Sequence, residues 1–416
     1  MIVFLRAALC ALLLASCIYS PITESPLNRF QAEQIVRLAY NGETKDTASE
    51  VNALAYFLDV IDTRYTREVD MLKLADSAVE ALKKTETESP EIRLQEVRRV
   101  MLATLDRHSV FFTREEFADF KRGLSGEFVG IGVLLKEHEL GAVIAELLPN
   151  SPATQVGLEK GDIIIRAGKT PFKGMKLKDI VGSLKGKVGT NVTLEVLRGY
   201  GTSKQQNLVF SLRRAVVERI LLVAKTFDDV GYLRLLSFSN KTDVEFEEAL
   251  EDFEDQDLRG YIIDLRSNAG GYFQQAVTIA DYFLDDGLIV SSHSRDKEMA
   301  FSASSYRSIT ARPVVILIDG VTASSSEIFA LALSDHRRAF IIGEKSFGKG
   351  TVQTLYGLHD EDGLKLTTAR YASPKGRVLV DQGIEPDMVV LDDLSTSEDE
   401  VIQAALLKIA ALSVRF

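Results

Sequence analysis

Between positions 321 and 330 the chain reads Val-Thr-Ala-Ser-Ser-Ser-Glu-Ile-Phe-Ala, with Ile328, Leu331 and Ala332 at helical spacing behind three consecutive serines. A hydroxyl at a helix N-terminus meets free backbone N–H groups and the positive end of the dipole, which would stabilise an oxyanion during acyl transfer. Serine is equally the favoured N-cap, so this segment alone leaves nucleophile and cap both open. Twenty-five residues beyond Ser324 comes Lys349, in Phe347-Gly348-Lys349-Gly350-Thr351-Val352-Gln353. Lysine acts as a base near neutral pH only when its ammonium is desolvated, which lowers its pKa from about 10.4. The glycines on either side permit close backbone packing around such an amine. The histidines are His108, His138, His293, His336 and His359, and only His336 is near the serines. On one helix it would stand about 18 Å along the axis from Ser324, which disfavours a Ser-His-Asp triad. No His/Glu or Cys spacing suits a metal, and Gly348-Lys349-Gly350-Thr351 lacks the glycine-rich lead of a phosphate loop. The expectation is no metal and no cofactor.

These segments need a scaffold. From Val216 to about Leu391 short apolar runs alternate with helical stretches: Val230 to Leu236, Tyr261 to Leu265, Leu288 to Ser291, Val314 to Ile318 and Ala339 to Ile342, with a helix over Phe273 to Leu284. Apolar runs of this kind are strands buried on both faces, so residues 215–391 are assigned to an α/β core. Residues 392–416 should end in an apolar helix over Val401 to Leu412. Residues 30–122 show helical periodicity, in Val51, Leu54, Ala55, Leu58 and Ile61 and again in Met71, Leu72, Ala75, Val79 and Leu82, with Asp70 as a cap. Leu105 to Ser109 breaks that pattern before a helix opening at Thr113.

At 416 residues and 46% hydrophobic, the chain should form two or three domains. A formal net charge of −11, with no evident basic patch, argues against nucleic acid as a partner. Residues 1–17 have one basic residue, an apolar run and small residues, the layout of a secretory signal. Leu14-Ala15-Ser16-Cys17 resembles a bacterial lipobox, which implies lipidation at Cys17, a membrane tether and a place in the periplasm or cell envelope. Residues 18–29 then read as a linker. The remaining cysteine, Cys10, falls within the signal, so a mature chain would hold no internal disulfide.

Residues 123–214 change texture to short β-type runs separated by glycine, with one helical stretch near Leu177 to Leu184. Phe128 to Val133, Asn150 to Leu158 and Lys160 to Ile165 together resemble a PDZ domain, in the order of the circularly permuted bacterial form. On that reading the backbone around Gly130, Ile131, Gly132 and Val133 holds a chain-terminal carboxylate, and a strand over Ile131 to Lys136 offers its edge to an extended peptide.

Finally, the 321–330 and 347–353 segments, taken with Asp264-Leu-Arg-Ser-Asn-Ala-Gly-Gly271, resemble the carboxyl-terminal processing, or tail-specific, protease family of serine peptidases from about Asp106 to Val390. The resemblance implies a ClpP/crotonase-like α/β protease core with an inserted PDZ domain and an N-terminal helical region. It also implies Ser324 as nucleophile, Lys349 as base and Gln353 as the residue orienting the lysine. Departures from the family pattern are Thr322, Ser325, Arg107 and Ala269. For the oxyanion hole we expect one backbone N–H from Gly270 or Gly271 and one from Ser325. Asp335, which matches a family aspartate, lies about 16 Å along a helix from Ser324 and reads as support rather than proton relay. The implied partners are protein or peptide substrates bound by their C-termini, with self-association into a homo-oligomer open. An inactive PDZ scaffold is the alternative of a different class, and a crotonase-type hydratase or isomerase a third reading.

Overall fold

The computed structural model describes residues 22, 24–42, 47–304, 307–359, 361–392 and 398–413. The signal segment 1–17 with Cys17, and residues 18–21 of the linker, lie outside the described residues. The chain divides into two compact units, one of residues 1–115 with 353–369 and one of residues 116–352 with 370–416. No helix among the described residues is long and apolar enough to cross a membrane.

The first unit is built on the helices Pro26–Ala39, Ala48–Arg64, Met71–Lys84 and Pro90–Leu105. The first starts inside the span read as linker: the Ser25 hydroxyl accepts the Asn28 N–H (3.3 Å) and Pro26 supplies a first-turn residue that needs no N–H partner. Val51, Leu54, Ala55, Leu58 and Ile61 are all buried, as their spacing requires. Asp70 caps the third helix by accepting the Lys73 N–H at 3.2 Å. That helix buries Leu74, Ala78, Ala81 and Leu82; of the expected stripe Leu82 is buried, Met71, Ala75 and Val79 are half-buried, and Leu72 is 67% exposed. Two apolar stripes fit 3.6-residue periodicity there, and packing against the neighbouring helices selects one. After Leu105 the Asp106 carboxylate accepts the His108 and Ser109 N–H groups (2.6 and 2.9 Å), ending the helix. A strand that the sequence reading omitted, Val110–Phe112, then pairs antiparallel with Gly363 to Lys365.

In the second unit, Glu127–Gly130 pairs antiparallel with Ala215–Glu218, so the chain enters and leaves the inserted module side by side. The module's antiparallel sheet runs Val133–His138, Gly141–Leu147, Ile163–Ala167, Asn191–Arg198, Gln206–Arg213, with Val133–His138 at its edge. The edge strand begins two residues later than expected, because Gly132 turns the chain at φ +79°. The Leu177–Leu184 helix packs beside that strand, burying Ile180 and Leu184 in a core with Ile144, Ile164, Phe172 and Leu194. The module also contradicts the expectation of no basic patch: residues 160–187 hold eight basic residues and two acidic ones, an excess that the chain-wide total conceals.

The sheet of the α/β core runs Leu222–Phe227, Val230–Leu235, Gly260–Asp264, Val314–Ile318, Ala339–Gly343, Met388–Val389, parallel after its first, antiparallel pair. Ile263, Ile316 and Ile341 point to one face, packed with Phe246, Phe283 and Phe329. Ile262, Val315, Leu317 and Ile342 point to the other, covered by Val401, Ile402, Ala405 and Ile409 of the Glu400–Ser413 helix. Burial on both faces is why these strands are unbroken apolar runs. The Phe273–Asp281 helix stops three residues short of the expected end, as Tyr282 and Phe283 take tighter i→i−3 bonds to Ile279 and Ala280. The segments 265–271, 319–324 and 344–350 each leave the carboxyl end of one of three neighbouring parallel strands, where binding sites of open α/β sheets form.

Candidate active site

Ser324 precedes the Ser325–Asp335 helix, nearly every residue of which is buried. The serine N-caps Ser25, Ser89 and Ser151 take ordinary extended backbone with φ −93°, −64° and −82°. Ser324 instead has φ +59° and ψ −118°. A non-glycine residue held there costs about 1–3 kcal/mol and persists only where its surroundings over-determine it. Those surroundings are visible. Ala323 N–H donates to the Asn268 carbonyl (3.1 Å), which also accepts the Ser326 hydroxyl (2.9 Å). The Asn268 side chain, fully buried, donates to the Leu235 carbonyl (2.8 Å) and accepts the Gly270 N–H (2.9 Å). Asp319 accepts N–H groups from Ser267 (2.8 Å), Val321 (3.0 Å) and Thr322 (2.9 Å). Burial pushes the Asp319 carboxyl up, but these bonds and the Thr322 hydroxyl outweigh it and hold the group below the usual carboxylate range.

Glu327 is the residue that joins the two candidate catalytic segments. It is fully buried, and four donors converge on it. Oε2 accepts the Ser324 N–H (2.8 Å) and the Lys349 N–H (2.9 Å), while Oε1 accepts the Ser346 hydroxyl (2.5 Å) and the Gly348 N–H (2.7 Å). The amides of Ser324 and Lys349 are therefore neighbours across a single oxygen atom. The Lys349 carbonyl accepts the Tyr371 hydroxyl (2.5 Å), so the lysine is pinned on both sides of its Cα. Burial and the nearby Glu327 carboxylate raise the Tyr371 phenol well above its ordinary value, keeping it a donor. Gly348 has φ +88° and a Cβ there would meet the Gly383 nitrogen at 2.5 Å, so this turn admits only glycine. Ser324 and Lys349 are both half-buried.

Gly270 has φ +98°, and a Cβ on it would stand 2.9 Å from both the Ser324 Cβ and the Ser325 nitrogen. Its backbone thus lies against the serine turn, but its N–H is taken by Asn268. Of the two glycines considered for an oxyanion hole, Gly271 is the one whose N–H has no acceptor among the described residues, and the Ser325 N–H likewise has none. Ser325 Oγ donates to the Gly271 carbonyl at 3.1 Å, tying these two residues together.

Asp335, at the far end of the helix, accepts the Ser373 hydroxyl and the Lys375 N–H (3.0 Å) and pairs with Arg377. His336 Nε2 meets the Leu288 carbonyl at 2.7 Å. Gln353 belongs to the other compact unit, where its amide donates to Thr367 Oγ1 at 3.5 Å. Thr367 Oγ1 in turn donates to Asp106 (3.2 Å). In the inserted module, Gly132 is required by packing, since a Cβ would fall 2.1 Å from that of Ser151. Ile131 is buried in the module's core and Val133 packs on its rim, while Gly130 ends the strand paired with Ala215. Among the described residues no group of three His, Cys, Asp or Glu side chains could hold a metal. Sequence reasoning passed over Glu327, Asn268, Ser346 and Tyr371. The Ser324-x-x-Glu327 spacing of a capping box could have flagged the first.

A parallel sheet covered on both faces, with a strained serine at the mouth of one strand and a pinned lysine at the mouth of the next, is the arrangement of an α/β serine-type protease, here with an inserted antiparallel-sheet module. The chain matches peptidase family S41 over residues 229–390 and the PDZ domain over residues 118–197. It is 33% identical over 371 residues to a carboxy-terminal-processing protease of Bartonella bacilliformis, covering 87% of this chain and 80% of that one. It is 34% identical over 321 residues to the carboxyl-terminal-processing protease of a Synechocystis species, covering 74% of each. A solved photosystem II D1 C-terminal processing protease aligns over 91% of this chain and 97% of its own, at 26% identity and a TM-score of 0.55. The chain belongs to the carboxy-terminal processing proteases of peptidase family S41.

Proposed function

We propose that this protein is an exported endopeptidase that takes substrate proteins by their C-termini through its PDZ domain and cleaves them with a Ser324/Lys349 dyad by way of an acyl-enzyme. The observation that carries the reading is the shared Glu327 oxygen, which couples the strained Ser324 turn to the Lys349 turn. In the first step the neutral Lys349 amine accepts the Ser324 proton as Oγ attacks the scissile carbonyl carbon. The resulting oxyanion is received by the Gly271 and Ser325 N–H groups. Collapse expels the amine, which takes its proton from Lys349, and water then attacks the ester with Lys349 again as base. Gln353, four residues along the chain, orients the lysine amine, and Asp335 supports the helix end. Gly130, Ile131, Gly132 and Val133 form the turn and strand start against which the terminal carboxylate docks. Export rests on the 1–17 segment, with lipidation at Cys17 tethering the body to a membrane of the cell envelope.

The test is cleavage of an unfolded reporter by full-length protein and by Ser324→Ala and Lys349→Ala variants of matched secondary structure and melting temperature. Both variants should lose turnover entirely. Retained cleavage by either one overturns the dyad. Metabolic labelling with a fatty acid, compared between the natural chain and Cys17→Ser, tests the anchor separately.

A further inference from the structure

The inserted module carries a charge opposite to that of the whole. Eight basic and two acidic residues between 160 and 187 give a net of +6 in a chain of −11. One of the two acids is spent internally: Asp162 is 1% exposed and receives both Arg198 Nε and Nη2 at 2.8 Å. Lys169, Lys173, Lys176, Lys178 and Lys185 are all exposed, and among the described residues none of them pairs with a carboxylate. Their placement is concentrated. Lys173 and Lys176 lie on the approach to the Leu177–Leu184 helix, Lys176 being its N-cap residue and Lys185 its C-cap residue. Lys178 and Lys185, seven residues apart, share one exposed face of that helix, turned roughly 130° from the buried line of Ile180 and Leu184. The same helix packs beside Val133–His138, the strand left at the sheet edge. The helix itself carries one acidic residue, Asp179, and the edge strand one, Glu137, and the lysines outnumber them.

We propose that this lysine-rich helix selects substrates whose tails carry acidic side chains just upstream of the terminal residues, so that the PDZ module reads charge as well as the chain end. The inference rests on the reading that the edge strand takes up substrate C-termini. A peptide added to that edge would run alongside the helix, where unpaired ammonium groups attract carboxylates and steer the encounter. The position of the lysines along one helix bordering a strand edge, rather than across a broad face, favours a peptide over a membrane surface as the occupant.

The test uses full-length protein and one unfolded reporter with a constant apolar C-terminal tripeptide, preceded by four acidic, four neutral or four basic residues. The expected result is a kcat/KM about tenfold higher for the acidic tail than for the neutral one at low ionic strength, falling toward parity at 0.5 M salt. Lys173→Glu/Lys176→Glu/Lys178→Glu should abolish or invert the preference while cleaving the neutral reporter as before. Equal cleavage of all three tails overturns this proposal and leaves the endopeptidase reading standing. Failure to cleave any of them strikes that reading instead. Binding of vesicles containing phosphatidylglycerol, lost in the triple variant and combined with indifference to tail charge, would assign the lysines to a membrane and also overturn the proposal.

Discussion

Replacing Glu327 by glutamine changes one oxygen to an NH2 group and removes a charge without changing volume, yet four donors depend on that carboxylate. An amide accepts on one side only. With its nitrogen on the Oε2 side it would face the N–H groups of both Ser324 and Lys349. On the Oε1 side it would face the Gly348 N–H and the Ser346 hydroxyl, which can turn but already accepts the Ile384 N–H at 2.6 Å. The second orientation is the less costly, leaving one buried N–H orphaned at about 1–3 kcal/mol and weakening the two retained bonds by about 1 kcal/mol each as the charge is lost. The sum, about 3–5 kcal/mol, corresponds to a fall in Tm of roughly 6–20 °C in a unit of this size. Below the lowered Tm the variant should remain folded, its carbonyl oxygen still holding the Ser324 and Lys349 N–H groups through weaker bonds, while the unmet Gly348 N–H loosens the turn that carries the lysine. A displacement of about 1 Å at the reacting groups costs on the order of a hundredfold in rate. The assay is reporter cleavage at 20 °C alongside thermal unfolding followed by circular dichroism. We expect kcat reduced at least about a hundredfold with KM little changed, because the PDZ module is untouched. A Glu327→Gln protein with wild-type kcat and Tm would falsify the clamp argument.

Gly270→Ala places a Cβ 2.9 Å from the Ser324 Cβ and 2.8 Å from the Ala323 carbonyl at φ +98°, and should cut kcat/KM by about a hundredfold or more in steady-state assays while the PDZ module alone stays intact. Gly132→Ala meets the Ser151 Cβ at 2.1 Å at φ +79°, so limited proteolysis should detect a loosened module, with a stability loss above about 2 kcal/mol. For pH, the Asp319 carboxyl is held below its ordinary value in the fold, so its contribution is present above the unfolded value near 3.8 and disappears as pH falls through the lower folded value. Urea unfolding at stepped pH should accordingly show Asp319→Asn less stable than wild type from pH 7 down to about 4, the gap closing only below that. A constant gap down to pH 2.5 would contradict the bonding assigned to this group.

What could be read in advance follows from how each signal is encoded. Val314–Ile318 is apolar at every position because the Phe329 side and the Ile409 side of the sheet are both covered, so its span was evident from composition alone. The Met71–Lys84 helix was equally evident as a helix, but its buried stripe was not, since alanines and leucines occupy two faces and tertiary packing chose between them. The strand Val110–Phe112 was missed because three residues carry no periodicity and its partner lies more than 250 positions away. Chain-wide charge hid the lysines around the Leu177–Leu184 helix, a reminder that partners sense local rather than total charge.

Glu327 escaped for a different reason, and it is the more consequential omission. A glutamate three residues into a helix normally reads as a surface capping residue, satisfied by one N–H of its own turn. Here it keeps that local bond to Ser324 and adds three from positions 346 to 349, which arrive only because the strands Val314–Ile318 and Ala339–Gly343 are parallel neighbours. Their carboxyl ends therefore open side by side, and the segments that follow must cross the same small space. A carboxylate there satisfies backbone donors that would otherwise be buried without partners, and so converts adjacency of two strands into a fixed relation between two turns. The strained φ at Ser324 is sustained by the same bonds, so the geometry that local preference opposes and the geometry that chemistry needs have a common cause.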